Sequence, residues 1–273
     1  MYVNCVFFPF RLAFYLRGCH SLNPTNNFLK EEFIFPVMEK LSIIIPVFNE
    51  KKTILEVIKK IKQIKIKNVA KEIIIVDDFS TDGTRSILKN IKGDYVKIFL
   101  HKTNMGKGSA IRTALKHATG TIISIQDADL EYDPKNIIKL IVPILHGNSK
   151  VVYGSRFIGK RMVLVAKNKT PLPLHWIGNR GLTFLTNLLY FNSITDMETG
   201  CKVFRKKIID GIKLKATRFD FEPEITAKIL KKGYNIKEIP IDFNPRTFKE
   251  GKKITWRDGV KAAYFLIKYR FFD

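Results

Sequence analysis

The sequence predicts an α/β chain with a mostly parallel sheet covered by helices on both faces. Three observations carry this. Apolar, β-branched runs recur at Leu41–Pro46, Glu72–Asp78, Val96–Leu100 and Thr121–Ile125, as expected of strands buried on both faces. Segments with helical spacing separate them, so the order reads β-α-β-α-β-α-β. Polar clusters follow the strands: Asn49-Glu50, Asp77-Asp78, Lys107 and Asp127-Asp129. Ligands of such sheets bind beyond the carboxyl ends of the strands.

In chain order, Thr53–Lys67 carries Ile54, Val57, Ile58, Ile61 and Ile64 at helical spacing. Phe79–Gly83 is turn-rich, and Thr84–Ile91 reads as a short helix. Asn104–Gly108 is a loop before a helix over Ser109–Ala118. The apolar body of Ile122, Ile123 and Ile125 is then followed by acids at alternate positions, Asp127, Asp129 and Glu131, and stopped by Asp133-Pro134. Carboxylates clustered where a buried strand ends are costly without a positive partner. Mg²⁺ or Mn²⁺ with a phosphate-bearing ligand answers that cost, since such ions take oxygen ligands, a few carboxylates and substrate phosphates. An acidic turn with no ligand is the plainer alternative for an isolated Asp-X-Asp.

A helix after Pro134, a strand at Val151–Arg156, a long basic loop over 158–174 and a helix over Trp176–Tyr190 come next. Lys202–Arg205 returns to strand, and Phe221-Glu-Pro-Glu opens a helix with acids in its first turn, as the dipole favours. A strand at Ile236–Phe243, a basic loop over Asn244–Lys253 and an aromatic C-terminal helix from Trp256 complete the chain.

Residues 1–37 differ in character: Met1–Leu16 is aromatic and apolar but interrupted by Pro9 and Arg11, too short for a membrane span and unlike a signal peptide. Two readings remain, an over-extended start with the functional protein beginning near Met38, and a membrane-contacting segment. The net charge of +23 points to an anionic partner such as a phosphorylated substrate or an acidic membrane surface, with lysine-rich solvated helix faces as the plainer source. RNA-binding signatures, zinc spacings, a P-loop and a dinucleotide fingerprint are all missing from the sequence, so no nucleic-acid partner is expected. Cys5, Cys19 and Cys201 are scattered and odd in number, which fits a reducing compartment.

Five motifs occur in order: Ile-Ile-Pro-Val-Phe-Asn-Glu (44–50), Val-Asp-Asp-Phe-Ser-Thr-Asp-Gly-Thr (76–84), Asn-Met-Gly-Lys-Gly-Ser-Ala-Ile-Arg (104–112), Asp-Ala-Asp (127–129) and Gly-Ser-Arg-Phe (154–157). Together they resemble family 2 glycosyltransferases of GT-A fold, in the branch of the dolichyl-phosphate mannose and glucose synthases and their bacterial polyprenyl-phosphate relatives. The resemblance runs from about Met38 to the C-terminus. It departs at Phe48, where the family often has Tyr, and in having no C-terminal transmembrane helices. It implies a nucleotide-sugar-binding half over 38–157, and an acceptor half over 158–273 that ends in an amphipathic helix.

The implied reaction moves mannose or glucose from GDP-mannose or UDP-glucose to a polyprenyl or dolichyl phosphate, with inversion. Asp127 and Asp129, with Glu131 as a third ligand, would hold Mg²⁺ or Mn²⁺. Pro46, Phe48, Asn49, Glu50, Asp77, Asp78, Lys107, Arg112 and Ala128, with Asp127, would bind the nucleotide sugar. An ionised phosphate needs no strong general base, and arginine suits it by bidentate donation. Arg156, Arg180 and Arg246 are the candidates, with Asp196 and Glu198, at the position of a base in other family members, serving to orient them. Transfer to a saccharide or lipid hydroxyl, and an inactive nucleotide-sugar-binding scaffold, are the competing functions. Seven Lys or Arg stand against three acids between Lys249 and Asp273, beside Trp256, Tyr264, Phe265, Leu266, Ile267, Tyr269, Phe271 and Phe272. With the 158–174 loop they imply peripheral attachment to the cytoplasmic face of a membrane; the plainer reading is that the aromatics close the core, and the two agree if only the terminal Tyr269–Phe272 turn is exposed. A membrane-embedded partner subunit is the alternative route to the lipid.

Overall fold

The computed structural model describes residues 38–159, 173–246 and 256–272. The proposed extension over 1–37, most of the 158–174 loop and the basic stretch 247–255 lie outside them.

The sheet has seven strands: β1 (Glu39–Val47), β2 (Val69–Asp77), β3 (Val96–Leu100), β4 (Ile122–Ile125), β5 (Val151–Ser155), β6 (Lys202–Arg205) and β7 (Lys237–Pro240). Their order is β3-β2-β1-β4-β6-β5-β7. All neighbours are parallel except β6, which runs antiparallel to both β4 and β5. This reversal matters for function. Lys202, the first residue of β6, pairs with Ile125 and Tyr153 near the carboxyl ends of β4 and β5. The turn that precedes β6 is therefore delivered to the edge where the other strands end.

Eight helices accompany the strands among the described residues: α1 (Ile54–Gln63), α2 (Thr84–Lys89), α3 (Lys107–His117), α4 (Asn136–Leu145), α5 (Pro173–Tyr190), α6 (Lys206–Asp210), α7 (Phe221–Lys231) and α8 (Trp256–Phe271). Alternation along the central strands feeds two cores. Ile43, Ile45, Ile73 and Ile75 face α1 and α4, joining Val57, Ile61, Leu140 and Ile144. Ile44, Ile74 and Val76 face the other way, with Ala110, Ile111, Phe221 and Ile225 of α3 and α7. Burial on both faces is why these strands read as unbroken apolar runs. A third cluster joins α5, α7 and α8 through Tyr190, Ala227, Leu266 and Tyr269.

Some boundaries move. α3 begins at Lys107 rather than Ser109, because Gly106 adopts φ +91° and its N–H is taken by Asp78. The short helix α6 had no signal of its own. Strand pairing of β4 ends at Ile125, and 127–131 is a turn with Leu130 at φ +61°. The acids at 127, 129 and 131 therefore do not share one strand face.

At the amino end of the sheet, Glu72 joins four segments. Its carboxylate accepts from Ser42 Oγ at 2.6 Å, Thr119 N at 2.7 Å and Lys97 Nζ at 2.9 Å. Burial opposes its charge, but these bonds hold its pKa down to about 2, against 4.5 for an ordinary glutamate. A depressed carboxylate stabilises the fold above its unfolded pKa, and that contribution disappears as the pH falls through the folded value. Glu72→Gln is expected to cost up to about 3 kcal/mol at pH 7, and the gap from wild type should close between pH 4.5 and 2. Denaturant unfolding across that range is the measurement; a constant gap would contradict this account.

Candidate active site

The cleft lies beyond the carboxyl ends of β1, β2 and β4 and has a volume of about 360 Å³. Pro46, Phe48 and Glu50 from the end of β1 line it, with Asp78 after β2, Lys107 at the start of α3, and Asp127, Ala128, Asp129 and Glu131 after β4. Arg156 after β5 and Arg246 after β7 close the far side.

Asp78 builds one wall. Its Oδ1 accepts from Met105 N and meets His101 Nδ1, both at 2.8 Å, and its Oδ2 accepts from Gly106 N at 2.7 Å. With those oxygens engaged, Asp78 shapes the 104–106 loop. That loop needs its glycines. A Cβ at Gly106 would lie 2.3 Å from the Thr217 carbonyl oxygen, and one at Gly108 would lie 2.8 Å from that of Ala216. This close approach starts α3 where its first residue, Lys107, enters the cleft.

Lys107 Nζ lies 2.8 Å from Asp127 Oδ1 and 2.8 Å from Glu222 Oε1. Burial works against its charge, but the two carboxylates hold its pKa well above the usual lysine range. On the other side of Asp127, a Cβ at Gly200 would fall 2.1 Å from Oδ2. Asp127 is thus fixed between a cation and a bare backbone.

Arg246 answers the remaining acids. Its Nη1 and Nη2 donate to the two Glu50 oxygens at 3.0 and 3.2 Å, and Nη2 also donates to Asp129 Oδ2 at 2.9 Å. Its backbone N–H donates to Glu131 Oε1 at 2.8 Å. The chain is led there by the Tyr132–Phe243 bridge and by Asn244 N donating to the Glu131 carbonyl. Burial, with the charges of Asp127 and Glu131, raises the Asp129 pKa to about 7 although Arg246 opposes the shift.

Among the described residues, no group of three or more His, Cys, Asp or Glu is arranged to hold a metal. The three carboxylates expected as ligands, Asp127, Asp129 and Glu131, are instead engaged by other groups of the protein or kept apart. The turn separates them, giving Asp127 to Lys107 and Glu131 to the Arg246 backbone. The residues still fit a divalent cation bound chiefly by a diphosphate. The donors are all oxygen, and the crowding that raises the Asp129 pKa is what a cation would relieve.

Arg156 forms a fork with Asp196, Nε to Oδ2 at 2.7 Å and Nη2 to Oδ1 at 2.6 Å. Asp196 is fully buried and also accepts the Arg156 N–H, so it holds the arginine's orientation. Five expected site residues do not line the cleft: Asn49, Asp77, Arg112, Arg180 and Asp196. Asn49 and Asp77 brace the loop after β2, through Thr81 N and Ser80 N respectively. Arg112 is turned toward the carbonyls of Lys215 and Ala216. Arg180 is exposed and donates to the Thr195 carbonyl at 3.1 Å.

Sequence reasoning missed Glu222, whose position in a helical first turn had a sufficient explanation in the dipole. It also missed Gly200, Tyr132, His175 and Asn179, which line the cleft. Asp127 and Glu222 are far apart in the chain, and nothing local marks them as sharing a lysine.

Residues 42–212 match the family described as Glycosyl transferase family 2. The chain belongs to that family. This family 2 glycosyltransferase is 32% identical over 242 residues to an uncharacterized protein of Methanocaldococcus jannaschii, covering 86% of the chain and 93% of the relative. It is 32% identical over 248 residues to the UDP-N-acetylglucosamine–dolichyl-phosphate N-acetylglucosaminyltransferase of Methanococcus voltae, covering 82% and 94%. It is 28% identical over 284 residues to a dolichyl-phosphate β-glucosyltransferase of Trichomonas vaginalis, covering 97% and 82%. Glucosyl-3-phosphoglycerate synthase of Mycobacterium tuberculosis, solved with Mn²⁺, UDP and phosphoglyceric acid, superposes with a TM-score of 0.62 at 17% identity over 86% and 80% of the chains. The fold is GT-A, as the motifs implied.

Gly200→Ala is expected to lower turnover by about 10²-fold, because a misplacement near 1 Å at a reacting centre costs that much. Steady-state kinetics, with circular dichroism as the fold control, would check this; a folded, fully active variant would remove Asp127 from the reaction.

Proposed function

We propose that this glycosyltransferase moves a hexose from a nucleotide sugar to a polyprenyl or dolichyl phosphate with inversion. The observation that carries the reading is Arg246, a guanidinium bound to both Glu50 and Asp129 inside the cleft. It brings positive charge for an anionic acceptor next to the carboxylate best suited to a cation. Two relatives whose names specify dolichyl-phosphate acceptors support the acceptor class. Asp196 argues against a hydroxyl acceptor: at the position of a family base, both its oxygens are taken by Arg156.

Mg²⁺ or Mn²⁺ at Asp129 and Asp127 would neutralise the leaving diphosphate. Pro46, Phe48 and Ala128 line the cleft beside Asp78 and supply the nucleotide wall. Lys107, held protonated, adds positive charge against the diphosphate. Arg246 and Arg156, both lining the cleft, would orient an acceptor phosphate oxygen toward the anomeric carbon. That oxygen forms the new glycosidic bond as the bond to the nucleoside diphosphate breaks, and no proton need be removed from an ionised acceptor.

Access to a lipid acceptor needs a membrane surface. No helix of the described residues is long and apolar enough to cross a membrane. α8 divides its face: Ala262, Leu266 and Tyr269 are buried, while Trp256, Tyr264, Phe271 and Phe272 are exposed. The exposed aromatics are therefore not confined to the terminal turn, and Tyr269 is not among them. α5 adds Phe184, Leu188 and Phe191, all exposed. Aromatic and basic together, this surface suits peripheral attachment to an anionic cytoplasmic leaflet.

Two experiments test the reading. A screen of UDP-glucose, UDP-N-acetylglucosamine and GDP-mannose with a polyprenyl phosphate and Mn²⁺ should yield one glycosyl-phospholipid by mass; Asp129→Ala should cut that turnover at least about 10²-fold with the fold intact. Transfer only to hydroxyl acceptors would overturn the proposal. In liposome sedimentation, binding should favour anionic over neutral lipid and weaken with salt, each basic residue near the surface contributing about 1 kcal/mol. Negligible binding to both at low salt would point instead to a membrane-embedded partner subunit.

A further inference from the structure

Among the described residues, two carboxyl oxygens beside the cleft have no hydrogen-bond partner, Glu198 Oε1 and Glu222 Oε2. Both residues line the cleft. Glu222 is only 4% exposed, and its other oxygen is held by Lys107 at 2.8 Å. A buried acceptor without a donor is destabilising in the free protein. Two of them at the wall of a binding cleft are accounted for if their donors arrive with the ligand.

Both groups are held by rigid surroundings. Glu198 sits in the turn before β6, where buried Lys202 Nζ donates to the Met197 carbonyl at 3.1 Å and to the Thr199 carbonyl. Glu222 opens α7, whose next acid, Glu224, accepts from Lys215 N and Ala216 N at 2.8 and 2.7 Å. Burial, then the nearby charge of Glu222, pushes the Glu198 pKa up to about 8, with Lys202 and Arg156 opposing.

The chemistry narrows the ligand. The Glu222 carboxylate, paired with Lys107, repels a phosphate. A cation at Glu222 would meet Lys107, which already takes that place. Neutral hydroxyls satisfy both constraints, since each donates one hydrogen bond and accepts another. We infer that Glu198 and Glu222 form the subsite that reads the hydroxyl groups of the transferred sugar, and so set donor-sugar specificity. This rests on the nucleotide-sugar reading above and adds which residues choose the sugar. A site built to bond a hydroxyl rejects ligands that lack it far more strongly than an apolar pocket rejects a size change.

The test separates sugar from nucleotide. Calorimetry on the full chain with Mn²⁺ would compare UDP and GDP with UDP-glucose, UDP-N-acetylglucosamine and GDP-mannose. The proteins are wild type, Glu198→Gln, Glu222→Gln and, as comparator, Lys107→Met, with thermal midpoints as fold controls. Glu198→Gln should bind the free nucleoside diphosphate within about twofold of wild type and lose about tenfold or more for the nucleotide sugar; Glu222→Gln, which also takes one partner from Lys107, should lose about tenfold more for the nucleotide sugar than for the free nucleoside diphosphate. Lys107→Met should weaken both ligand types alike. Monodeoxy analogues of the best donor identify the hydroxyl: one should bind wild type weakly and lose nothing further in the variant. Equal losses for nucleotide and nucleotide sugar would overturn the inference, leaving Glu222 as a brace for Lys107; no loss for either would overturn it too. Wild type that binds no nucleotide sugar would instead sink the underlying reading.

Discussion

Lys107 is the residue on which the site depends. It is the first residue of α3, and it draws together the carboxylates that end β4 and begin α7. A lysine this enclosed is stable only while both partners are ionised and close. The pair of contacts thus joins the turn after β4 to the start of α7 through one ammonium group. Removing Lys107 would leave two buried carboxylates without their cation.

What places Lys107 is backbone rather than charge. Asp78 gathers the N–H groups of Met105 and Gly106, and the two glycines let that loop lie against residues 216–218. Gly108 N and Ser109 N then donate to the carbonyls of Arg218 and Thr217. Gly200 serves the other side of Asp127 in the same way. Three bare positions fix one lysine and one aspartate, so side-chain chemistry here rests on close backbone approach.

The antiparallel strand β6 has a consequence for the whole second half. By reversing direction it brings 196–200 to the same edge as 127–131, and Arg156 to Asp196. The acids of the cleft then divide by partner. Asp127 and Glu222 answer Lys107, and Glu50 and Asp129 answer Arg246. Asp196, outside the cleft lining, answers Arg156, and Glu198 Oε1 has no hydrogen-bond partner among the described residues. Without the reversal, the turn before β6 would open at the opposite end of the sheet.

Local pattern alone determined the strands, the major helices and the edge on which ligands bind. Apolar runs such as Ile43–Ile45 and Ile73–Val76 and the spacing of Ile54, Val57, Ile58 and Ile61 are properties of a few neighbouring residues. The ordered motifs likewise determined the family and most of the cleft lining, including Phe48, Asp78, Lys107, Asp127, Asp129 and Arg156. Tertiary structure decided partnership. Asp78 proved to be a loop brace, Arg112 a capping donor to 215–216, and Glu222 the partner of Lys107. It also separated Asp127, Asp129 and Glu131, because strand pairing stopped at Ile125 and Leu130 turned left-handed. These outcomes depend on groups brought together by the sheet order and by glycine contacts distant in sequence. Spacing along the chain carries no record of them: a short-range pattern states which face a side chain takes, while its partner is set by what the fold packs against that face.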